Sequence, residues 1–561
     1  MVRWKSRKTG DVLLLANGVM ILVLINLLSS GYFFRVDLTE EKRYSIHPAT
    51  RAMLADLDDD VYVEVFLEGE LNAGFRRFQR GIRETLEMFR IYSDDRIHYT
   101  FTDPATARSQ QARQEFMSEL AAKGIQPTNV IDTRDGERVE KIIFPGVMVS
   151  YGGAEKGVML LKGNKAGTPE EEINQSIEGI EFEIANAIYK LTESDPSQVG
   201  WVSGHGELEG RSFSAFADAV SELYHTRRIS LDDPGLAGYD ALVIAKPTRS
   251  FSPADKYRLD QYIMKGGKVL FMLDRLDASM DSTRQADYFA FPYETQLDDQ
   301  LFRYGVRVNP DLVQDRYAAP YPVITGERQD GTPQIHLMEW PFFPLINRFH
   351  DHVITHNLDR VLLRFVSSID TVRADGVKKV PLLLTSQFSR RLSAPVSVNI
   401  NELRGDLSVE QFTERFIPVA YLLEGKFTSL YKNRFLPDGV GAAGFRTESI
   451  PTSLIVVSDG DVARNEVNPR TGQPLPLGFD PFSNYTFANR DLLLNMIAYL
   501  ADADGLIRAR SKEIRIRPLD REQIAEERLK WQVINLGSPL ALLITFGVVR
   551  AYWRKRKYAN F

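Results

Sequence analysis

Hydrophobic positions are distributed in three different rhythms along this chain. At the two ends they run without interruption. Val12 to Phe34 gives 23 residues free of charge, about 34 Å of helix against a hydrocarbon core of about 30 Å. Ser29-Ser30-Gly31 then runs into Tyr32-Phe33-Phe34 and offers no small-x-small cleavage site, so the expectation is an uncleaved anchor. Val533 to Val549 is a shorter second candidate, flanked by Trp531 and by Tyr552-Trp553, where interfacial aromatics sit. Asn535 and Pro539 leave a buried terminal helix open as the alternative.

Between the ends the rhythm becomes that of a globular protein. Val61 to Phe66 alternates in the strand manner, Phe75 to Tyr92 has helical spacing, and Ile97 to Phe101 is again strand-like, a β-α-β order. Further strands are expected at 142–149 and 157–161. A helix over 171–191 places Ile173, Ile177, Ile180, Ile184 and Ile188 on one side. From Gln198 onward, fully apolar strands at 199–203, 241–245 and 268–273 alternate with helices at 213–224 and 253–264, the signature of a parallel sheet covered on both faces. The pattern loses regularity from 276 to 452 and returns with a strand at 453–458 and a helix at 489–500.

This gives an α/β fold class. The expected organisation is a basic tail (1–11), a transmembrane helix (12–34), a small N-terminal α/β domain (35–192), and a parallel-sheet domain (193–505) with an insertion at about 276–452. A stalk (506–532), a second transmembrane helix (533–549) and a basic tail (550–561) follow.

Charge orients this arrangement. Residues 1–11 carry four basic side chains and one acid, and residues 550–561 carry five basic ones, which by the positive-inside rule places both termini in the cytoplasm and the body outside. The whole chain has a net charge of −6, so the body between the basic ends is more acidic still and will not hold nucleic acid through bulk charge. There is no cysteine, which removes disulfides, thiolate metal sites and cysteine nucleophiles together.

Several motifs invite chemistry. Gly204-His205-Gly206-Glu207-Leu208-Glu209-Gly210 lies between a strand and a helix, but its spacing is GxGxxxG and a tight turn explains the glycines equally well. No GxxxxGK[ST] occurs, so any ATP hydrolysis belongs to another subunit. His205 and Glu207 after one parallel strand, with Asp459 and Asp461 after another, could form a ligand-binding cluster at a topological switch point. The alternative is that they cap helices and fix turns. His350, His352 and His356 give HxHxxxH, with a structural cluster as the alternative to a metal site. The parallel-sheet domain resembles the glutamine-amidotransferase-like fold, whose chemistry needs a Cys nucleophile that this chain lacks, and no G-x-S-x-G elbow offers a serine. The expectation is a non-enzyme without cofactor or metal. In the terminal spans, Asn26 and Ser30, and Asn535, Ser538 and Thr545, form polar stripes suited to contacts with partner helices.

The segments DLTEEKRYSI (37–46), SIEGIEFEIANAIYKL (176–191), WVSGHGE (201–207), FPLINRFHDHVITHNLD (343–359), VVSDGDVARNE (456–466) and SKEIRIRPLD (511–520), in this order, resemble GldG. This is the auxiliary, so-called substrate-binding component of the gliding-motility-associated ABC transporter of Bacteroidota. The resemblance implies a partnership with an ABC permease of the GldF type and a cytoplasmic ATPase of the GldA type, in the inner membrane with a periplasmic body. It carries no catalytic residues across. The alternative function is a periplasmic scaffold that links such a complex to envelope or motility machinery.

Overall fold

A computed structural model describes residues 7–31, 45–104, 109–134, 137–162, 168–192, 197–280, 288–327, 333–400, 408–441, 444–501 and 521–558. The chain forms two units, Met1–Lys512 and Glu513–Phe561. Helix α1 (Arg7–Gly31) contains the apolar stretch Val12–Asn26, whose side chains are all exposed.

The N-terminal domain is built on local signals. His47 caps α2 (Pro48–Ala55), its Nδ1 accepting from the Ala49 N–H at 3.2 Å, and Pro48 fits the first helical position. Strand β1 (Val61–Val65) buries Val61, Val63 and Val65 on one face, as alternation requires. Asn72 then caps α3 (Ala73–Tyr92) by accepting from the Phe75 N–H at 3.0 Å. β2 (Ile97–Phe101) returns parallel to β1, which confirms the β-α-β order. The hairpin β3 (Gly146–Tyr151) and β4 (Ala154–Met159) completes a four-stranded sheet of order β2-β1-β3-β4.

Phe75, Phe78, Ile82, Leu86 and Phe89 of α3 and Ile173, Ile180, Ile184 and Ile188 of α4 (Pro169–Thr192) meet over this sheet in one core. The far side of α4 is also covered. Phe182 packs against Ala498 and Tyr499, the Asn357 side chain donates to the Gln175 carbonyl at 3.0 Å, and His356 approaches Glu178 at 3.6 Å. Contact on both sides explains why Glu178, Glu181 and Glu183 are buried on a helix whose apolar stripe alone predicts them exposed.

The second sheet has eight strands. Five are parallel: β5 (Gln198–Val202), β6 (His225–Ile229), β7 (Ala241–Ala245), β8 (Lys268–Met272) and, from far along the chain, β12 (Thr452–Val457). Three more join by antiparallel pairing: β9 (Arg348–Phe349), β10 (Val377–Leu384) and β11 (Pro418–Gly425). The spatial order is β9-β10-β11-β12-β8-β7-β5-β6. Residues from the irregular 276–452 region therefore extend this sheet, and the antiparallel turn of its edge was not visible in the hydrophobic pattern.

The four inner parallel strands, β5, β7, β8 and β12, each feed two cores, while the edge strand β6 buries only Ile229. Val243, Leu270 and Ile455 face α5 (Ser214–Ser221) and α7 (Asn489–Ala501), while Leu242, Ile244, Val269 and Val456 face α6 (Pro253–Met264). Such strands are apolar throughout because both faces are buried. A separate aromatic core around Trp340, with Phe342, Phe343 and Phe365, holds part of the irregular region together.

The C-terminal unit contains α8 (Arg521–Tyr558), a 38-residue helix with Pro539 inside it. Lys530–Arg556, 27 residues, is long and apolar enough to cross a membrane.

Candidate functional site

Strands β6-β5-β7-β8-β12 carry the connections of a doubly wound sheet, in which the chain reverses direction between β5 and β7. Ligands of such folds sit outside the carboxyl ends of the strands, in the crevice at that reversal. Of the sequence-derived residues, His205 and Glu207 follow β5 and lie at that reversal, whereas Asp459 and Asp461 follow β12, which β8 and β7 separate from β5.

The crevice itself is closed. The N–H groups of Thr248 and Arg249, just after β7, both donate to the His205 carbonyl, at 2.9 and 2.8 Å, and Leu208 N–H donates to the Ala245 carbonyl at 2.9 Å. Gly206, at φ +77°, presses so closely on Thr248 that a Cβ would lie 2.3 Å from its hydroxyl. The glycines thus serve the tight turn.

His205 is buried and fully engaged. Its Nδ1 lies 3.0 Å from Glu207 Oε1, its Nε2 3.4 Å from Asp255 Oδ2, and its ring stacks on Phe251 at 3.7 Å. Burial opposes protonation, but the two carboxylates outweigh it and raise the imidazole pKa. The Ser252 hydroxyl donates to Asp255 at 2.6 Å and accepts from the Asp255 N–H at 3.1 Å, capping α6. The His205 ring fastens the β5 loop to the start of α6.

Asp459 and Asp461 form a second group. Asp459 is fully buried and accepts from the N–H groups of Arg364 at 2.7 Å, Asp461 at 2.7 Å and Val462 at 3.1 Å. Burial, with Asp274 and Asp461 nearby, pushes its pKa well up, against the pull of those N–H donors. Asp461 pairs with Lys246 at 2.7 Å and with Arg464 at 2.6 Å. Burial works against its ionisation, but these cations prevail and lower its pKa. No direct contact between the His205–Glu207 pair and the Asp459–Asp461 pair occurs among the described residues.

Sequence reasoning missed the centre of this network. Lys246 follows β7 with a left-handed φ of 52° and bridges Asp274, at 2.6 Å, to Asp461. Desolvation opposes its charge, yet the two carboxylates push its pKa up to about 12. Gly460 is forced by the same contact, since a Cβ there would lie 2.5 Å from Lys246 Cβ. A lysine and an aspartate just after two apolar strands were the available signal.

The three histidines turn to different partners. His350 lies beside the Asp351 carbonyl, His352 accepts from the Ile354 N–H and packs on Tyr499, and His356 faces Glu178. Residues 351–357 form turns, so no helix face unites them. In the terminal helices, Asn26, Asn535 and Ser538 are exposed, whereas the Thr545 hydroxyl donates back to the Ala541 carbonyl at 2.7 Å. The Ser30 side chain and residues 506–520 of the expected stalk lie outside the described residues.

The chain thus combines a doubly wound sheet domain with one helix long and apolar enough to cross a membrane. Residues 196–496, more than half the chain, match the model of the family described as an ABC-type uncharacterized transport system (ABC_transp_aux), and the chain belongs to that family. Residues 40–150 match a domain of unknown function, DUF7088. An uncharacterized protein of Borreliella burgdorferi is 22% identical over 574 residues, covering 98% of this chain and 99% of its own. Among solved structures, the mmIFT52 N-terminal domain covers 55% of this chain and 99% of its own at 13% identity and a TM-score of 0.32. An exo-β-1,4-mannosidase from Opitutaceae bacterium strain TAV5 covers 75% and 51% at 10% identity and a TM-score of 0.19. Both likenesses are too slight to define the fold.

Proposed function

We propose that this protein is a non-enzymatic, extracytoplasmic accessory subunit of an ABC transport complex, anchored by α1 and α8, with both termini in the cytoplasm. Membership of the ABC auxiliary family supports the transport context. The observation that carries the accessory role is the closed switch point: the residues that a ligand-binding sheet would offer are bonded to one another by His205–Glu207–Asp255 and Lys246–Asp274–Asp461. This favours a scaffold over substrate capture at the strand ends.

The partners in this reading are a permease of the GldF type and an ATPase of the GldA type, and the link to gliding motility rests on the resemblance of the six segments to GldG. The strand order also supports a glutamine-amidotransferase-like ancestry without the nucleophile. Affinity purification of the tagged full chain from membranes tests the proposal. It should retain a permease and an ATPase in constant ratio, and recovery of the chain alone under mild detergent would refute it.

A further inference from the structure

A cleft of about 600 Å³ lies between the N-terminal domain and the second sheet domain, remote from the strand-end network. Its walls are α4, the β3–β4 hairpin and α7, and Phe182 and Ala498, packed together, form part of its lining. The size is that of a small-molecule pocket. Its charges do not balance locally.

Along α4, Glu183, Asn186, Ala187 and Lys190 recur at helical spacing and face the cleft. Most charges there are matched: Lys123 with Glu155 at 2.8 Å, Lys162 with Glu183 at 2.8 Å, and Arg490 with Glu222 at a loose 3.5 Å. Lys156 and Lys190 have neither a hydrogen bond nor an ion pair among the described residues, and Asp491 is the remaining acid of the lining. Lys190 therefore stands half-buried among Lys156, Lys162 and Arg490, with Glu183 as its opposing charge. Glu183 is already paired with Lys162, so a half-buried ammonium crowded by other cations is unfavourable and calls for an anion or for loss of its proton.

We propose that this inter-domain cleft binds a small ligand through a phosphate-type oxyanion held by Lys156, Lys190 and Arg490. The site stands independently of the accessory role, since it shares no residue with the membrane helices or the strand-end network. Without the ligand, burial and the neighbouring cations bring the Lys190 pKa down to about 7. A bound oxyanion reverses that balance and restores the proton, so affinity increases as the pH falls through this value.

Sulfate is a suitable probe because it stays doubly charged from pH 6 to 8. Equilibrium dialysis of the full chain in nonionic detergent should show saturable sulfate binding, several-fold tighter at pH 6.5 than at pH 8. Lys190→Met and Lys156→Met should each weaken it at least tenfold. In sulfate-free buffer Lys190→Met should also melt higher than the native protein at pH 6.5, the difference shrinking toward pH 9, whereas loss of a merely structural lysine lowers the melting temperature. Displacement by glycerol 3-phosphate identifies a soluble phosphate ester, and displacement by dihexanoylphosphatidylglycerol a lipid headgroup; either upholds the site. No saturable binding, or equal binding by both variants and the native chain, overturns it.

Discussion

Lys246 shows how strongly one side chain can be committed by its surroundings. Two buried carboxylates converge on one ammonium, and removing one partner from such a network leaves uncompensated charge in a low dielectric. Lys246→Met should therefore cost about 3–5 kcal/mol of stability, measured by urea unfolding at pH 7. The pH dependence has a definite sign. Because the folded pKa of Lys246 is raised to about 12 from an ordinary 10.5, its contribution is complete below pH 10.5 and is lost as pH rises through 12. The native protein should lose stability across that alkaline window, and the Met variant should lack that component. His205 has the same sign at lower pH: its contribution is present below 6.5 and fades as pH rises through the elevated folded value. His205→Gln should flatten the stability profile above pH 6.5 without creating or abolishing any turnover.

At the scale of elements, α4 is the member on which the two domains of the body meet. Its isoleucine stripe was legible from spacing, and the structure buries Ile173, Ile180, Ile184 and Ile188 as expected, with Ile177 half-buried. Its second buried face was not legible, because Phe182 is one apolar residue among glutamates and nothing local says that α7 will cover it. Phe182→Ala should remove about 3 kcal/mol of packing. The consequence is local opening, so hydrogen exchange should accelerate along the facing sides of α4 and α7 while β1 and β3 stay protected. Uniform acceleration over the whole body would show that the domains unfold as one.

For the whole molecule, the absence of cysteine makes topology directly measurable. Single Lys5→Cys, Asp330→Cys and Tyr558→Cys variants carry one thiol each. With the proposed topology, a membrane-impermeant maleimide labels position 330 in spheroplasts and reaches 5 and 558 after permeabilisation alone. Labelling of position 558 in intact spheroplasts would exclude cytoplasmic placement of the C-terminus. In α8, Pro539 sits near the middle of the apolar helix and withholds one backbone donor, and an interior proline favours a kink. Pro539→Ala should straighten the helix and raise its detergent-phase helicity slightly, as read by circular dichroism.

Locally encoded features were decided by the sequence alone. The capped helices after His47 and Asn72, the β-α-β start, the apolar parallel strands and the long apolar helix near the C-terminus all follow from spacing, caps and runs of a few residues. The tertiary structure decided whatever depends on contacts between distant positions. It added β9, β10 and β11 by antiparallel pairing and set Lys246 between Asp274 and Asp461, whereas the joining of β12 to β8 across nearly two hundred residues was already expected from the return of the apolar pattern at 453–458. His205 and Asp459 both follow parallel strands, as the pattern foretold, but β7 and β8 separate those strands and the two residues belong to separate hydrogen-bonded groups. Periodicity reports which side of an element is buried; it carries no information about which charged group from another strand will be waiting there.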